Sequence, residues 1–396
     1  MMEEEARRAK RREEKDSIER VHVTVPDGES GSGFSSQRPS HGIPRYSAKA
    51  ERSEEAHQQE LRKIESYREL DQLVRGKIAE HQYTPETLEK ISELLGRNPE
   101  YYTVWNYRRQ VLRHEFSRAL SNDSEVSAAD QITDCIKKDL MFLIPLLRSF
   151  PKCYWIWDYR LWLLDEAKRL LPLPVARRIW EEELALAGKM LSLDSRNFHG
   201  WGYRHFVVQT LEQLTSKETG KDSMAQTEFE YAKKMVGANL SNFSAWHYRT
   251  KLMQRLLDEQ SASDEERRKI LDDELELIHR ALCDPYDQSL WFYHQNLMCT
   301  FDPTLSGQTM APNLTDPERL EYIRREIEEV EEMLDGAEDC KYIYQALIDC
   351  TVLASKVEGS MSNDDQQKIR GWLSELKQLD PLRQGRWLDF ERSLCR

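Results

Sequence analysis

The side chains able to do chemistry are spread thinly along this chain of 396 residues. Seven cysteines, Cys135, Cys153, Cys283, Cys299, Cys340, Cys350 and Cys395, are odd in number, far apart and without a C-x-x-C pair. That argues against a disulfide framework and against a metal site built by this chain alone. No G-x-G-x-x-G or G-x-x-x-x-G-K-[ST] string is present, so the Gly-rich phosphate cradles of nucleotide enzymes are missing. Two short polar clusters stand out, Pro151-Lys152-Cys153-Tyr154 and Arg196-Asn197-Phe198-His199. Their ammonium, phenol, amide and imidazole groups can all donate hydrogen bonds. Such groups serve either a ligand or a solvated helix start, and the surrounding pattern has to tell which.

That pattern is a repeat. Trp-x-Tyr-Arg occurs at Trp105–Arg108, Trp157–Arg160, Trp201–Arg204 and Trp246–Arg249, and a fifth copy reads Trp291-Phe292-Tyr293-His294. The tryptophans are 52, 44, 45 and 45 residues apart. Weaker copies are expected at Tyr342 and Trp387. Ahead of each tryptophan comes a turn signal, as in Asn98-Pro99, Phe150-Pro151 and Asp284-Pro285, and three residues ahead an aromatic: Tyr102, Tyr154, Phe198 or Phe243, with Gln288 in the fifth copy. Apolar residues fall three or four apart, as at Leu61, Ile64, Tyr67, Leu70, Val74 and Ile78, which is helical spacing. Thr84-Pro85 and Ser263-x-x-Glu266 are helix starts, and Leu171-Pro172-Leu173-Pro174 is a connection between helices.

Each repeat therefore reads as a helical hairpin whose second helix begins near the tryptophan. One hairpin cannot bury its apolar stripe, but stacked hairpins can. The predicted fold is all-α, a crescent-shaped α–α superhelix of about six to seven hairpins. Trp105, Arg108, Trp157, Arg160, Trp201, Arg204, Trp246, Arg249 and Trp291 are its packing residues, with each arginine bonding a helix terminus or a neighbouring carboxylate. Packing needs a residue in every repeat and chemistry needs it once. The functional candidates are thus the residues that break the pattern. Five positions ahead of the tryptophans the chain reads Glu100, Lys152, Arg196, Ser241 and Tyr286.

Residues 1–53 are expected to be a disordered extension: the first twenty carry seven basic and seven acidic residues, and a Gly/Ser/Pro-rich stretch follows. Residues 54–396 are expected to form the repeat domain. The net charge of −13 excludes a broad nucleic-acid footprint. The start has no apolar core of a signal peptide, and no stretch is long and apolar enough to span a membrane. A cytoplasmic protein is the expectation.

With five clear copies at this period, the chain resembles the α-subunits of protein prenyltransferases, over roughly residues 86–396. The Leu379-Asp380-Pro381-Leu382-Arg383 and Arg386-Trp387-Leu388-Asp389 ending, the fifth repeat with Asp287-Gln288-Ser289 ahead of it, and His41-Gly42 resemble the Rab geranylgeranyltransferase α-subunit in its compact fungal form. The resemblance implies half of a heterodimeric enzyme. It would transfer geranylgeranyl from geranylgeranyl diphosphate to C-terminal cysteines of Rab GTPases presented by a Rab escort protein. A separate β-subunit would hold the zinc and the lipid pocket, and this chain no metal. The resemblance also implies that Lys152 approaches the diphosphate, that Tyr154 lies beside it, and that Asn197 and His199 face the same active-site mouth. An ammonium placed in advance fits that role, because C–O cleavage builds negative charge on the leaving diphosphate. His41 is a candidate to reach the partner's zinc. The alternatives are the α-subunit shared by farnesyltransferase and geranylgeranyltransferase type I, and a non-catalytic helical scaffold.

Overall fold

The computed structural model describes residues 53–121, 125–219, 223–305, 307 and 309–394. His41 and the extension lie outside them. Helix α1, Glu54–Ala79, starts in one compact unit and ends in a second that begins at Asp71. In the second unit the helices come in pairs: α2 (Pro85–Arg97) with α3 (Tyr102–Leu120), α4 (Glu125–Ser149) with α5 (Tyr154–Leu170), α6 (Leu173–Leu193) with α7 (Phe198–Thr219), and α8 (Ala225–Ala238) with α9 (Phe243–Glu259). Then follow α10 (Asp264–Ala281) with α11 (Gln288–Met298), α12 (Asp316–Glu332) with α13 (Lys341–Glu358), and α14 (Asn363–Leu379) with α15 (Gln384–Ser393). No strand occurs among the described residues. The fold is an α–α superhelix, as the repeat predicts.

The helix boundaries follow local chemistry. Thr84 accepts the Thr87 N–H ahead of Pro85, and Ser263 and Thr315 each close a capping box with the glutamate three residues on. Pro172 caps α6, where Pro174 sits in the first turn and needs no N–H donor.

Every letter of Trp-x-Tyr-Arg has a direction. The tryptophan indole N–H donates to the carbonyl six residues back, at Pro99, Pro151, Ser195, Leu240 and Pro285 in turn, over 2.6–2.9 Å. This pins the helix start to the preceding turn. The indole then packs at a tilt against the tyrosine of the next repeat: Trp105 on Tyr159 at 4.9 Å, Trp157 on Tyr203 at 5.1 Å and Trp246 on Tyr293 at 4.4 Å. The arginine reaches forward to a carboxylate on the first helix of the next hairpin. Arg108 meets Asp139, Arg160 meets Glu183, Arg204 meets Glu228 and Arg249 meets Glu274, each with two guanidinium nitrogens. The next repeat's tyrosine donates its hydroxyl to the same carboxylate: Tyr159 to Asp139 at 2.7 Å, Tyr203 to Glu183 at 2.5 Å, Tyr248 to Glu228 at 3.3 Å, and Tyr293 to Glu274. Burial and the adjacent carboxylate push the phenols of Tyr159 and Tyr203 well up, so they remain donors. All four arginines are buried. Such charges persist inside only when paired and hydrogen-bonded as completely as this.

The fifth step departs from the rule. His294 replaces arginine, and its Nε2 lies 3.0 Å from Glu326 Oε2, which is also 2.9 Å from His279 Nε2. The structure also corrects the sixth copy. Tyr344, not Tyr342, occupies the tryptophan position: it is the fourth residue of its helix, and its hydroxyl donates to the carbonyl of Glu338, six residues back. The tyrosine and arginine positions are then Ala346 and Leu347. With no aromatic ring at Ala346, a cavity of about 290 Å³ opens between α11 and α13, walled by Trp291, Phe292, Met298 and Leu353.

Candidate functional site

The two clusters singled out in the sequence fall on successive turns, just ahead of α5 and α7. Lys152 lies in the turn before α5 and is exposed. Tyr154 is the first residue of α5, also exposed, and makes edge-on contacts with Trp155 at 5.4 Å and with His199 at 6.3 Å. His199 is the second residue of α7 and is half-buried. Lys152, Tyr154 and His199 thus share one edge of the superhelix, where α5 and α7 start. At α5, whose start has no side-chain cap, the helix N–H groups favour negative charge.

Asn197 sits apart from them in character. It is only 4% exposed. Its Oδ1 accepts the N–H groups of His199 at 3.0 Å and Gly200 at 3.2 Å, and its Nδ2 donates to the Pro151 carbonyl at 2.9 Å. Both ends of the amide are therefore used within the chain. They tie the turn carrying Lys152 to the helix start carrying His199. Equivalent stitches recur: Cys153 Sγ to Pro99 O at 3.4 Å, Asn242 Nδ2 to Ser195 O at 2.8 Å and Cys340 Sγ to Pro285 O at 3.1 Å. Burial pushes the Cys153 thiol up to about 11, so it is a donor in this stitch and no nucleophile. At Gly200 the backbone comes close to α6: a Cβ there would meet Leu191 Cδ2 at 3.0 Å.

The tryptophans and arginines named in the sequence are all buried. Sequence reasoning marked the recurring aromatics of this edge but not their exposure. The aromatics three residues ahead of the tryptophans, Tyr102, Tyr154, Phe198 and Phe243, are all exposed, Phe198 at 79%. Together with Phe292, which meets Phe243 edge-on at 5.6 Å, they form a row of solvent-facing rings along the helix starts. The signal was present in their spacing. Large exposed apolar rows of this kind mark interaction surfaces. No group of three or more His, Cys, Asp or Glu side chains able to hold a metal ion occurs among the described residues.

Comparison with known proteins supplies the family. The protein prenyltransferase alpha subunit repeat matches residues 85–115, 136–167, 180–211 and 225–256. The chain is 30% identical to the geranylgeranyl transferase type-2 subunit alpha of Saccharomyces cerevisiae over 88% of its own length and 98% of the relative's. It is 32% identical to that of Candida albicans, over 88% of this chain and 96% of the other. The chain belongs to the geranylgeranyl transferase type-2 α-subunit family. The rat α-subunit is 34% identical over 66% of this chain, which accounts for 42% of that longer relative. Among solved structures, a Candida albicans protein geranylgeranyltransferase-I complexed with GGPP superposes with a TM-score of 0.56 at 19% identity, over 83% of this chain and 91% of that one. At that identity the likeness concerns the fold, the α-subunit superhelix. In this type-2 α-subunit fold, Lys152, Tyr154 and His199 stand at the helix starts of the second and third Trp-x-Tyr-Arg copies.

Proposed function

We propose that this chain is the α-subunit of a heterodimeric protein geranylgeranyltransferase of type II. The enzyme moves a geranylgeranyl group from geranylgeranyl diphosphate to C-terminal cysteines of Rab GTPases held by an escort protein. The observation that carries the reading is the grouping of Lys152, Tyr154 and His199 on one edge, with Lys152 and His199 at positions where the repeat itself requires nothing of them.

In the transfer, a carbon–sulfur bond forms at C1 of the prenyl group as the C1–oxygen bond breaks, and the electron pair leaves with the diphosphate. The ammonium of Lys152 stabilises the charge that grows on the departing oxygens. The Tyr154 hydroxyl and a ring N–H of His199 donate to the same diphosphate. Asn197 holds the backbone that carries His199 against the turn that carries Lys152. The exposed row Tyr102, Tyr154, Phe198 and Phe243 is the surface that a β-subunit covers. The described residues do not fit a zinc site. The zinc belongs to that partner, and no step of this chain's residues passes through it.

The test is co-purification with a β-subunit, followed by prenyl transfer to a Rab–escort complex and to a C-a-a-X peptide. The chain alone is expected to transfer nothing, and the heterodimer to modify Rab and not the peptide. Lys152→Ala is expected to slow the chemical step by roughly 100-fold, in the range of a lost oxyanion donor. Transfer by the isolated chain, or an unchanged single-turnover rate in Lys152→Ala, refutes the reading.

A further inference from the structure

The five turn positions ahead of the tryptophans differ in what their side chains do. The Ser241 hydroxyl bonds to Asp287, and the Tyr286 hydroxyl to Asp339. Glu100 carries the opposite charge. Lys152 and Arg196 alone are cations, and they occupy successive repeats. Both are exposed, and among the described residues neither side chain has a carboxylate or hydrogen-bond partner. Arg196 uses only its backbone N–H, which donates to Asp194 Oδ1 at 3.3 Å. This contrasts with the buried arginines of the repeat, each held by two bonds to a carboxylate, in a chain whose net charge is −13.

The two cations hang from turns that are bonded to each other. Asn197 Nδ2 donates to the Pro151 carbonyl at 2.9 Å; Lys152 is the residue after Pro151, and Arg196 the residue before Asn197. Each lies two residues ahead of the first residue of its helix, α5 for Lys152 and α7 for Arg196, so both cations stand where helices start on the same edge. We propose that Arg196 is a second cationic contact for the diphosphate of the prenyl donor, acting beside Lys152 across the repeat boundary. This rests on the function proposed above. A diphosphate is multiply charged, and a single ammonium meets it as a point charge. A guanidinium adds a planar fork that takes two oxygens at once. Arg196 therefore contributes chiefly to holding the diphosphate, before and after the bond breaks, while Lys152 meets the charge that grows during the break.

The experiment compares the intact heterodimer with its Arg196→Ala, Arg196→Lys and Lys152→Ala forms. Inorganic pyrophosphate serves as the inhibitor and geranylgeranyl diphosphate as the donor. In Arg196→Ala the pyrophosphate inhibition constant and the donor KM are expected to rise roughly 10-fold, the scale of one charge-assisted contact. Arg196→Lys recovers part of that loss, and the KM for the protein acceptor does not move. If Arg196→Ala leaves both constants unchanged while Lys152→Ala slows transfer, the proposal is overturned and the functional reading stands. Loss of the heterodimer on gel filtration in Arg196→Ala also overturns it, by making Arg196 a subunit contact. A wild-type heterodimer that transfers no prenyl group to any acceptor removes the functional reading, and the proposal with it.

Discussion

Replacing Arg160 with methionine tests whether the repeat interfaces are held by buried charge. Arg160 is 1% exposed. It donates to both oxygens of Glu183, and its Nη1 to the Leu140 carbonyl at 2.7 Å. Methionine fills much of the volume but leaves Glu183 buried, with only the Tyr203 hydroxyl at 2.5 Å to offset its charge. Breaking a buried pair from one side costs about 3–5 kcal/mol. Tyr203→Phe removes one bond to a charged acceptor and leaves the pair intact, so about 1.5–3 kcal/mol is expected. Removing the whole polar set, with Arg160→Met, Glu183→Leu and Tyr203→Phe together, leaves no buried charge. Since apolar replacement of a buried pair is often close to neutral, the triple variant should be more stable than Arg160→Met alone. The assay is equilibrium urea unfolding followed by circular dichroism, with hydrogen exchange at α5, α6 and α7 to place the loss. A cost below about 1 kcal/mol for Arg160→Met, or a triple variant less stable than that single one, refutes the argument.

Glu326 gives the fifth interface a pH dependence of its own. Burial raises its carboxyl, but the bonds from His279 and His294 outweigh that and hold it at about 2 against an ordinary value of 4.5. A depressed carboxyl stabilises the fold above its unfolded value, and that stability is lost as pH falls from about 4.5 toward about 2. Glu326→Gln should therefore flatten acid destabilisation in that window by about 3 kcal/mol, read as the urea midpoint against pH, and an unchanged slope counts against it. Thiol labelling is predicted to be selective. Cys283 is exposed, whereas Cys153, Cys340 and Cys350 are buried and raised by desolvation. A neutral-pH alkylating reagent should modify Cys283 well ahead of those three, which react only when the chain unfolds; comparable rates for Cys350 refute its burial.

The hairpins were legible because a large aromatic at one recurring position is a signal that no loop produces by chance. Helix starts were legible wherever a cap was spelled out, as at Thr84 and Ser263. The partner carboxylates were not. They lie 31, 23, 24 and 25 residues beyond their arginines, so loop length scrambles the spacing. On α6 the spacing predicts one apolar face of Ile179, Trp180, Leu184, Ala187 and Leu191; all but the half-buried Leu184 are buried, and so is Glu183 among them, which hydrophobic periodicity alone argues against. The sixth copy was misplaced by two residues because Tyr342 and Tyr344 are the same residue type. Only the bond to the carbonyl six residues back separates them. At the site, Lys152 and His199 were visible as departures from the repeat, whereas Tyr154 fills a recurring aromatic position and was marked only by the family resemblance. The work of Asn197 was hidden, because its counterparts, Cys153, Asn242 and Cys340, are of mixed type and leave no recurring letter.

The directions of the motif decide which accidents in the chain are survivable. Tryptophan and arginine face the following hairpin, while the tyrosine ring meets the tryptophan of the preceding one and its hydroxyl bonds the first helix of its own, all from the start of one helix. Length can drift freely beyond that helix start, and it does, with tryptophans 52, 44 and 45 residues apart. A residue gained or lost within Trp-x-Tyr-Arg itself is another matter. It turns the side chains that follow by about 100° around the helix, at 3.6 residues per turn. One such slip disengages the hairpins on both sides at once, so the array tolerates editing in its loops and hardly any at its helix starts, where Lys152, Arg196 and His199 are also found.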